Sequence, residues 1–528
     1  MTTFNWDFPY ASQRMPVLAK NVVATSQPVA AQAGLRMLLK GGNAVDAALA
    51  AAMALTVVEP SMNGIGSDAF AILWDGQQLH GLNASGRSPK ALTYDHFAGR
   101  SEMPAMGWDT VTVPGCVSAW VNLSERFGKL AFAELFEPAI DYAQNGYLVS
   151  PITGKGWAGA VNKYRDFPEF ADGFLPQGKA PAIGSRFRFP DQAKTLQAIA
   201  STMGEAFYQG DLAEKIAAHA QATGGKMTKQ DLADHQVDWV TPIATDYRGL
   251  TLHEIPPNGQ GLAALLMLGI LRHFDLAEYP VDSADSIHLQ LEAMKLAFAD
   301  AHRYISDPAT MDVSVDALLD EAYLARRAEF IDLNEAKIPE FGIPSEGNTV
   351  YLTAADESGM MISFIQSNYM GFGSGIVVPG TGISMQNRGA GFTLEPGHPN
   401  QIGGGKRPYH TIIPGFITEN SQPIMSFGVM GGPMQPQGHA QMMIRLRDYG
   451  QNPQAASDAP RWRVVDGLAV EIEPGLEAGV YAELERRGHQ IVIQPNPGGF
   501  GGAQLIHRLD NGYCAASDHR KDGQAVGF

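Results

Sequence analysis

The sequence predicts an α+β protein built as a layered sandwich. Helical apolar spacing dominates up to about residue 305, and strand patterns dominate from about residue 349 onward. Helices followed by strands, rather than strict alternation, argue against a doubly wound parallel sheet. With 528 residues and 45% hydrophobic content, the chain is long enough to bury a large core.

The elements follow in order. "QPVAAQAGLRMLLKGGNAVDAALAAAMALTV" has helical spacing, broken at Gly41-Gly42, with a second helix restarting near Asn43. A Gly-rich loop, Asn63 to Ser67, leads into a strand, a turn at Asp75-Gly76 and a second strand ending near Asn83. Residues 116–240 are mostly helical patterns with loops, and residues 260–305 are helical again. Residues 329–348 have two prolines, two glycines and no period, and read as an exposed connector. After it come strands at 349–356, 360–367, 375–386, 411–418 and 423–429, a helix at about 434–449, and strands to the end. No internal repeat or low-complexity tract interrupts this order.

The balance of 38 basic and 55 acidic residues gives a net charge of −17. That disfavours nucleic acid and anionic membranes as main partners. The run Ala44 to Val58 is too short to span a bilayer and contains Asp46, so it reads as a core helix. The first fifteen residues lack a basic n-region and an apolar h-region, so no secretory signal is expected and the location reads as cytoplasmic. Cys116 and Cys514 fit neither a disulfide framework nor metal spacing, and read as buried free thiols.

Zinc-protease, redox, phosphate-loop and nucleophile-elbow motifs are all absent from the sequence. "NGIGSDAF" reads as a tight structural turn. His410 and His439 lie near interesting loops, yet neither has a partner at ligand spacing, and both read as packed or hydrogen-bonding residues.

A Ser or Thr attacks an amide only if something takes its proton. With no evident His partner, one route is an N-terminal Thr whose own α-amine, with a reference pKa of about 7.7–8.0, is the base. Thr349 would have a free amine only if the chain were cut before it, and the connector ending at Asn348 is an accessible place for a cut. A Thr opening a strand is equally what β-propensity alone would place there. "TVYLTAAD" and "MMISFIQS" flank "ESG", a hairpin loop with Gly359 suited to positive φ. Pairing Asp356 with Met360 sets Thr349 opposite Ser367, as a catalytic neighbour or as a plain Thr–Ser cross-strand pair. Gly431-Gly432, between a strand and a helix start, could aim backbone N–H groups at an oxyanion or simply make a tight turn.

"LLKGGNAVDAALAAA", "VVEPSMNGIGSDAF", "NASGRSP", "VPGCVSAW", "PPNGQG", "NTVYLTAADESG", "GFGSGI", "KRPYHTIIP", "VMGGPMQPQGH", "DAPRW" and "ASDHRKDGQAVGF" occur in this order over nearly the full length. In this set the chain resembles the γ-glutamyltranspeptidase family of N-terminal-nucleophile hydrolases. The resemblance implies a four-layer αββα sandwich and a precursor that cuts itself between Asn348 and Thr349. It gives a large subunit, 1–348, and a small one, 349–528, interlocked in one structural unit as a heterodimer, or as a dimer of such heterodimers. It implies Thr349 as nucleophile and α-amine base, Ser367 as supporting hydroxyl, Gly431 and Gly432 as oxyanion hole, and Arg87 as the anchor of a substrate carboxylate. No metal and no organic cofactor is implied.

The departures from the family bear on substrate. Transpeptidases bind the glutamyl α-amine with acidic or amide residues where this chain reads "QNRGAGF", and ungapped matching places Arg388 and Gly391 there. The family's Ser-Ser pair near the α-carboxylate matches His410 and Thr411. These replacements suit a small anionic amide without an α-amine. They point to the oxamate-hydrolysing branch of the family, which yields oxalate and ammonium in purine-nitrogen salvage. The alternatives are a γ-glutamyl hydrolase or transferase acting on glutathione-like amides, and an unprocessed binding or scaffold relative.

Overall fold

The run after Gln27 forms two helices, Pro28–Leu39 and Ala44–Val58. The structure, a computed structural model, describes residues 5–6, 13–338 and 348–528. Asn43 caps the second helix: its side chain accepts the Asp46 N–H, and the Asp46 carboxylate accepts the Asn43 N–H. This reciprocal pair satisfies donors that a helix start leaves open. Every residue of Ala44–Val58 is buried, and small side chains let neighbouring backbone approach closely. A Cβ at Gly34 would lie 2.8 Å from the Ala47 carbonyl oxygen.

Two seven-stranded sheets form the centre. One runs in the order Gln524–Gly527, Val22–Thr25, Asn348–Ala355, Met361–Tyr369, Asp68–Trp74, Leu79–Asn83, Asp238–Val240. The other runs Val17–Ala19, Gly512–Ser517, Gly502–Leu509, Gln422–Met430, Gly415–Glu419, Leu250–Glu254, Ile243–Tyr247. Neighbouring strands in both are antiparallel.

Alternation along the strands divides the interior into three cores. Val350, Leu352, Ala354, Ile362, Phe364, Ala69 and Ala71 pack with the helix layer that includes Ala44–Val58. Tyr351, Ile365, Phe70 and Ile72 turn the other way and meet Phe416, Met430 and Ile506 of the second sheet. Met425, Phe427, Val429 and Leu505 on that sheet's far side pack against the helices Gly261–Leu271, Ala284–Tyr304 and Met434–Arg447. The layers are therefore helix, sheet, sheet, helix, as expected.

Several expectations need adjusting. Residues 375–386 are not one strand but two short paired pieces, Val377–Val378 and Ile383–Ser384. Gly380 and Gly382 between them have φ of 68°, which turns the chain back on itself. The strand expected at 411–418 begins only at Gly415. The C-terminal region also carries two unforeseen helices, Pro453–Asp458 and Ala478–Arg486. Of the connector 329–348, residues 339–347 lie outside the described residues. Both cysteines are buried free thiols, and among the described residues no helix is long and apolar enough to cross a membrane.

The C-terminal motif supplies a buried charge cluster. Asp518 accepts from Arg461 at 2.6 Å and from Arg520 at 3.2 Å, and Glu473 accepts from Arg520 at 2.6 Å. Burial alone would raise the Asp518 carboxyl, but the two guanidinium groups and the Ala503 N–H outweigh it and hold it well below the usual carboxylate range.

Candidate active site

The hairpin forms in the register expected: Val350 pairs with Gln366 and Leu352 with Phe364, and Gly359 in the loop has φ of 92°. The register shifts at one place, between Asn348 and Val350, where Asn348 pairs with Tyr369. Ser367 and Asn368 therefore face Thr349 alone, a bulge at the bond expected to be cut. Tyr369 has φ of 78°, a strained value for a bulky residue and a pointer to a site that over-determines its backbone.

Thr349 is 1% exposed. Its hydroxyl donates to Ser367 Oγ at 3.2 Å, and Ser367 Oγ also accepts the Tyr369 N–H at 2.8 Å. Gln435 Nε2 donates to Thr349 Oγ1 at 3.3 Å. Gln435 sits in the first turn of the helix Met434–Arg447, directly after Gly431-Gly432. These two glycines have φ of 123° and 60° and end the strand Gln422–Met430. A Cβ on Gly431 would also lie 3.0 Å from Gly501 Cα, so conformation and close approach both demand glycine. The threonine from one sheet and the glycine turn from the other thus meet through Gln435 at one end of the sandwich.

Arg388 opens a short turn, Arg388–Gly391, that is stitched to the hairpin end: the Asn387 N–H donates to the Asn368 carbonyl, and the Asn387 side chain accepts the Met370 N–H. Arg388 is fully buried, with its guanidinium carbon 4.2 Å from the centre of the Tyr369 ring. Its Nη1 donates to Thr411 Oγ1 at 2.6 Å, while Nε and Nη2 find no partner among the described residues. Burial lowers its pKa to about 10, against the raising influence of Tyr369 and Asp68. It therefore stays charged near neutral pH. A Cβ on Gly391 would lie 2.6 Å from the Tyr409 carbonyl oxygen, so that position is closed to any side chain.

His410 is engaged on both sides of its ring: Nδ1 accepts the Ile412 N–H at 3.4 Å, so Nε2 carries the proton and donates to Asp68 Oδ2 at 3.0 Å. Burial and the nearby Arg388 and Arg407 push its pKa well below the ordinary value. Burial pushes the Asp68 carboxyl up to about 7, opposed by Arg388, the Gly86 N–H and Arg407. Asp68 pairs directly with Ser367 across the sheet. The Arg87 side chain is 47% exposed and donates to Asp307 Oδ2 at 2.7 Å and to the Gly405 carbonyl at 3.2 Å. It borders a cleft with Lys90, Asp234 and Arg407. The structure thus brings Thr349, Ser367, Gly431 and Gly432 together, sets Arg388, bonded to Thr411, over the Tyr369 ring, and puts Arg87 on an acidic partner.

The family model described as "Gamma-glutamyltranspeptidase" matches residues 30–528. The chain belongs to the gamma-glutamyltranspeptidase family. It is 37% identical over 527 residues to the glutathione hydrolase-like YwrD proenzyme of Bacillus subtilis, covering 96% of this chain and 100% of the relative. It is 36% identical over 515 residues to the oxamate amidohydrolase proenzyme of Klebsiella pneumoniae, covering 95% and 97%. The crystal structure of cephalosporin acylase from Bacillus halodurans superposes with a TM-score of 0.96 at 49% identity, covering 100% of this chain and 99% of that one. As a member of this family the protein is an N-terminal-nucleophile hydrolase of amide C–N bonds with the family's autoprocessed αββα fold.

Three features escaped the sequence reading of this gamma-glutamyltranspeptidase relative. Gln435 lay in a quoted motif but has no chemical signature of its own. Asp68 lay in "GSDAF", where the one acidic residue on an otherwise apolar buried strand was the available signal. Away from the site, His288, Glu292 and His489 place ligand atoms within 4.8 Å of one another and could hold a metal ion. Lys295 already bonds Glu292 there at 2.5 Å, and His288 bonds His489 at 2.8 Å. The His288–Glu292 pair is at helical spacing, but its third member is remote in sequence.

Proposed function

We propose that the protein cuts itself before Thr349 and then hydrolyses a small carboxylate-bearing amide, with oxamate the leading substrate. The observation that carries this reading is Arg388: a buried guanidinium with two nitrogens that have no hydrogen-bond partner among the described residues, packed on Tyr369, which follows the Thr349–Ser367 pair. A planar fork of donors suits a carboxylate and repels an ammonium. With position 391 closed to side chains, no carboxylate can stand there to receive a glutamyl α-amine. Arg87, the family-implied anchor, already holds Asp307 through its Nη1.

In self-cleavage, Thr349 Oγ1 attacks the Asn348 carbonyl carbon. The C–O bond forms, the Asn348–Thr349 C–N bond breaks, and the hydroxyl proton ends on the departing nitrogen. Water then splits the ester, giving an Asn348 carboxylate and restoring the hydroxyl. In turnover the freed amine takes the Thr349 proton and passes it to the leaving ammonia. Gly431 and Gly432 N–H groups stabilise the oxyanion, and Arg388 with Thr411 holds the carboxylate. Water hydrolyses the oxalyl ester to release oxalate.

A second reading is acylase action on an amide with a bulky amine portion, favoured by the 49% identity to cephalosporin acylase. It uses the same nucleophile and anchor. Processed protein is assayed against oxamate, a γ-glutamyl anilide and a cephalosporin bearing a carboxyacyl side chain. Ammonium release from oxamate, with kcat/KM about tenfold or more above the anilide, is expected. Turnover of the anilide alone overturns the reading of a substrate without an α-amine; preference for the cephalosporin keeps the anchor and replaces oxamate.

A further inference from the structure

Gln435 reaches Thr349 Oγ1 from the opposite sheet's layer, and its orientation is fixed. The Ile413 N–H donates to Gln435 Oε1 at 2.9 Å, and a backbone N–H can only meet the oxygen of a carboxamide. Nε2 therefore faces Thr349 Oγ1, at 3.3 Å. The side chain is fully buried, and the Gln435 N–H is held by the Gly432 carbonyl. Gln260 braces the same corner: its Nε2 donates to the Thr411 carbonyl at 2.5 Å and to the Gly432 carbonyl at 2.9 Å. The hydroxyl of Thr349 thus donates to Ser367 while accepting from Gln435.

We propose that Gln435 is a catalytic residue, a fixed amide donor that stabilises negative charge on Thr349 Oγ1 whenever the ester bond to that oxygen breaks. The inference rests on the reading of Thr349 as nucleophile. An oxyanion hole addresses the carbonyl oxygen, but ester hydrolysis also places developing charge on the leaving oxygen, here Oγ1. That charge arises in the last step of self-cleavage and again in each deacylation. In both, water adds to the ester carbon, the C–Oγ1 bond breaks, its electron pair stays on Oγ1, and a proton returns to it. A buried, preorganised N–H aimed at that oxygen lowers the barrier without reorganisation. Ser367 Oγ, which accepts the threonine proton, stands ready on the other side.

The test follows cutting of precursor made by cell-free synthesis, across a pH series, for wild type, Gln435→Leu and Gln435→Glu. Leucine removes the donor, and cutting is expected to slow about a hundredfold, in the range of losing one oxyanion-hole donor. Glutamate is the internal control. Its protonated form can accept from Ile413 and donate to Oγ1, as glutamine does; its ionised form cannot donate. The ratio of variant to wild-type rate is therefore expected to rise as pH falls. Asp68, His410 and Arg388 titrate in both proteins and divide out of that ratio. A leucine variant cutting within about threefold of wild type overturns the proposal. If that variant does not fold, the glutamate series decides, and a ratio that is flat or falls with falling pH overturns it. Thr349→Ala runs alongside: cutting that persists there removes the nucleophile reading itself, whereas cutting lost there but normal in both Gln435 variants removes only the role of Gln435.

Discussion

Thr349→Ala is expected to remain a single 56.7 kDa chain and to show no amide hydrolysis. The substitution deletes Oγ1, the atom that bonds Ser367 and receives Gln435. No second hydroxyl can replace it in the N→O shift, because the attacking oxygen must belong to the residue that follows the cut bond. The loss in rate should be on the order of 10⁴-fold or more, as for removal of a nucleophile that acts as a unit with its base. Thr349→Ser keeps the atom and should still cut. Denaturing electrophoresis and an ammonium assay check both. An alanine variant that yields the same two fragments would contradict the assigned role.

Arg388→Met is expected to lower kcat/KM for oxamate about a hundredfold or more, the scale of a lost charged hydrogen-bond pair in a buried site. Oxamide, which has no carboxylate, should change little, so the ratio between the two substrates is the readout. Arg388→Lys retains charge but loses the fork and should fall between them. The variant also removes a cation that holds down the Asp68 carboxyl, which burial already pushes up to about 7. Asp68 should then titrate at higher pH than in wild type. An unchanged oxamate-to-oxamide ratio would move the anchor elsewhere, with Arg87 the next candidate.

Much of this arrangement is legible in the sequence. Hairpin register follows from a period-2 pattern and a three-residue loop with one positive-φ glycine, which is why Ser367 could be set opposite Thr349. The layered architecture is legible in the helix-then-strand order, and its sheet faces only in hindsight: nearly every residue of Asp68–Trp74 is apolar, so both faces look alike. The segment 375–386 reads as strand because its side chains favour one, but glycine conformations at 380 and 382 fold it back.

The limits at the site have a common physical cause. What Arg388 and Arg87 touch depends on partners far away in sequence, Thr411 and Asp307 respectively, and no local pattern encodes that. Gln435 is the same case: its meaning comes from Ile413 and Thr349, residues remote from each other in sequence. His410 illustrates the converse. Both of its ring nitrogens are committed to protein partners, Asp68 and the Ile412 N–H.

The most direct test of the central claim is N-terminal sequencing of the smaller chain from purified wild-type protein under denaturing conditions. Cleavage between Asn348 and Thr349 predicts the sequence Thr-Val-Tyr-Leu-Thr. A protein that remains one full-length chain, or a smaller chain that begins at any other residue, would contradict it.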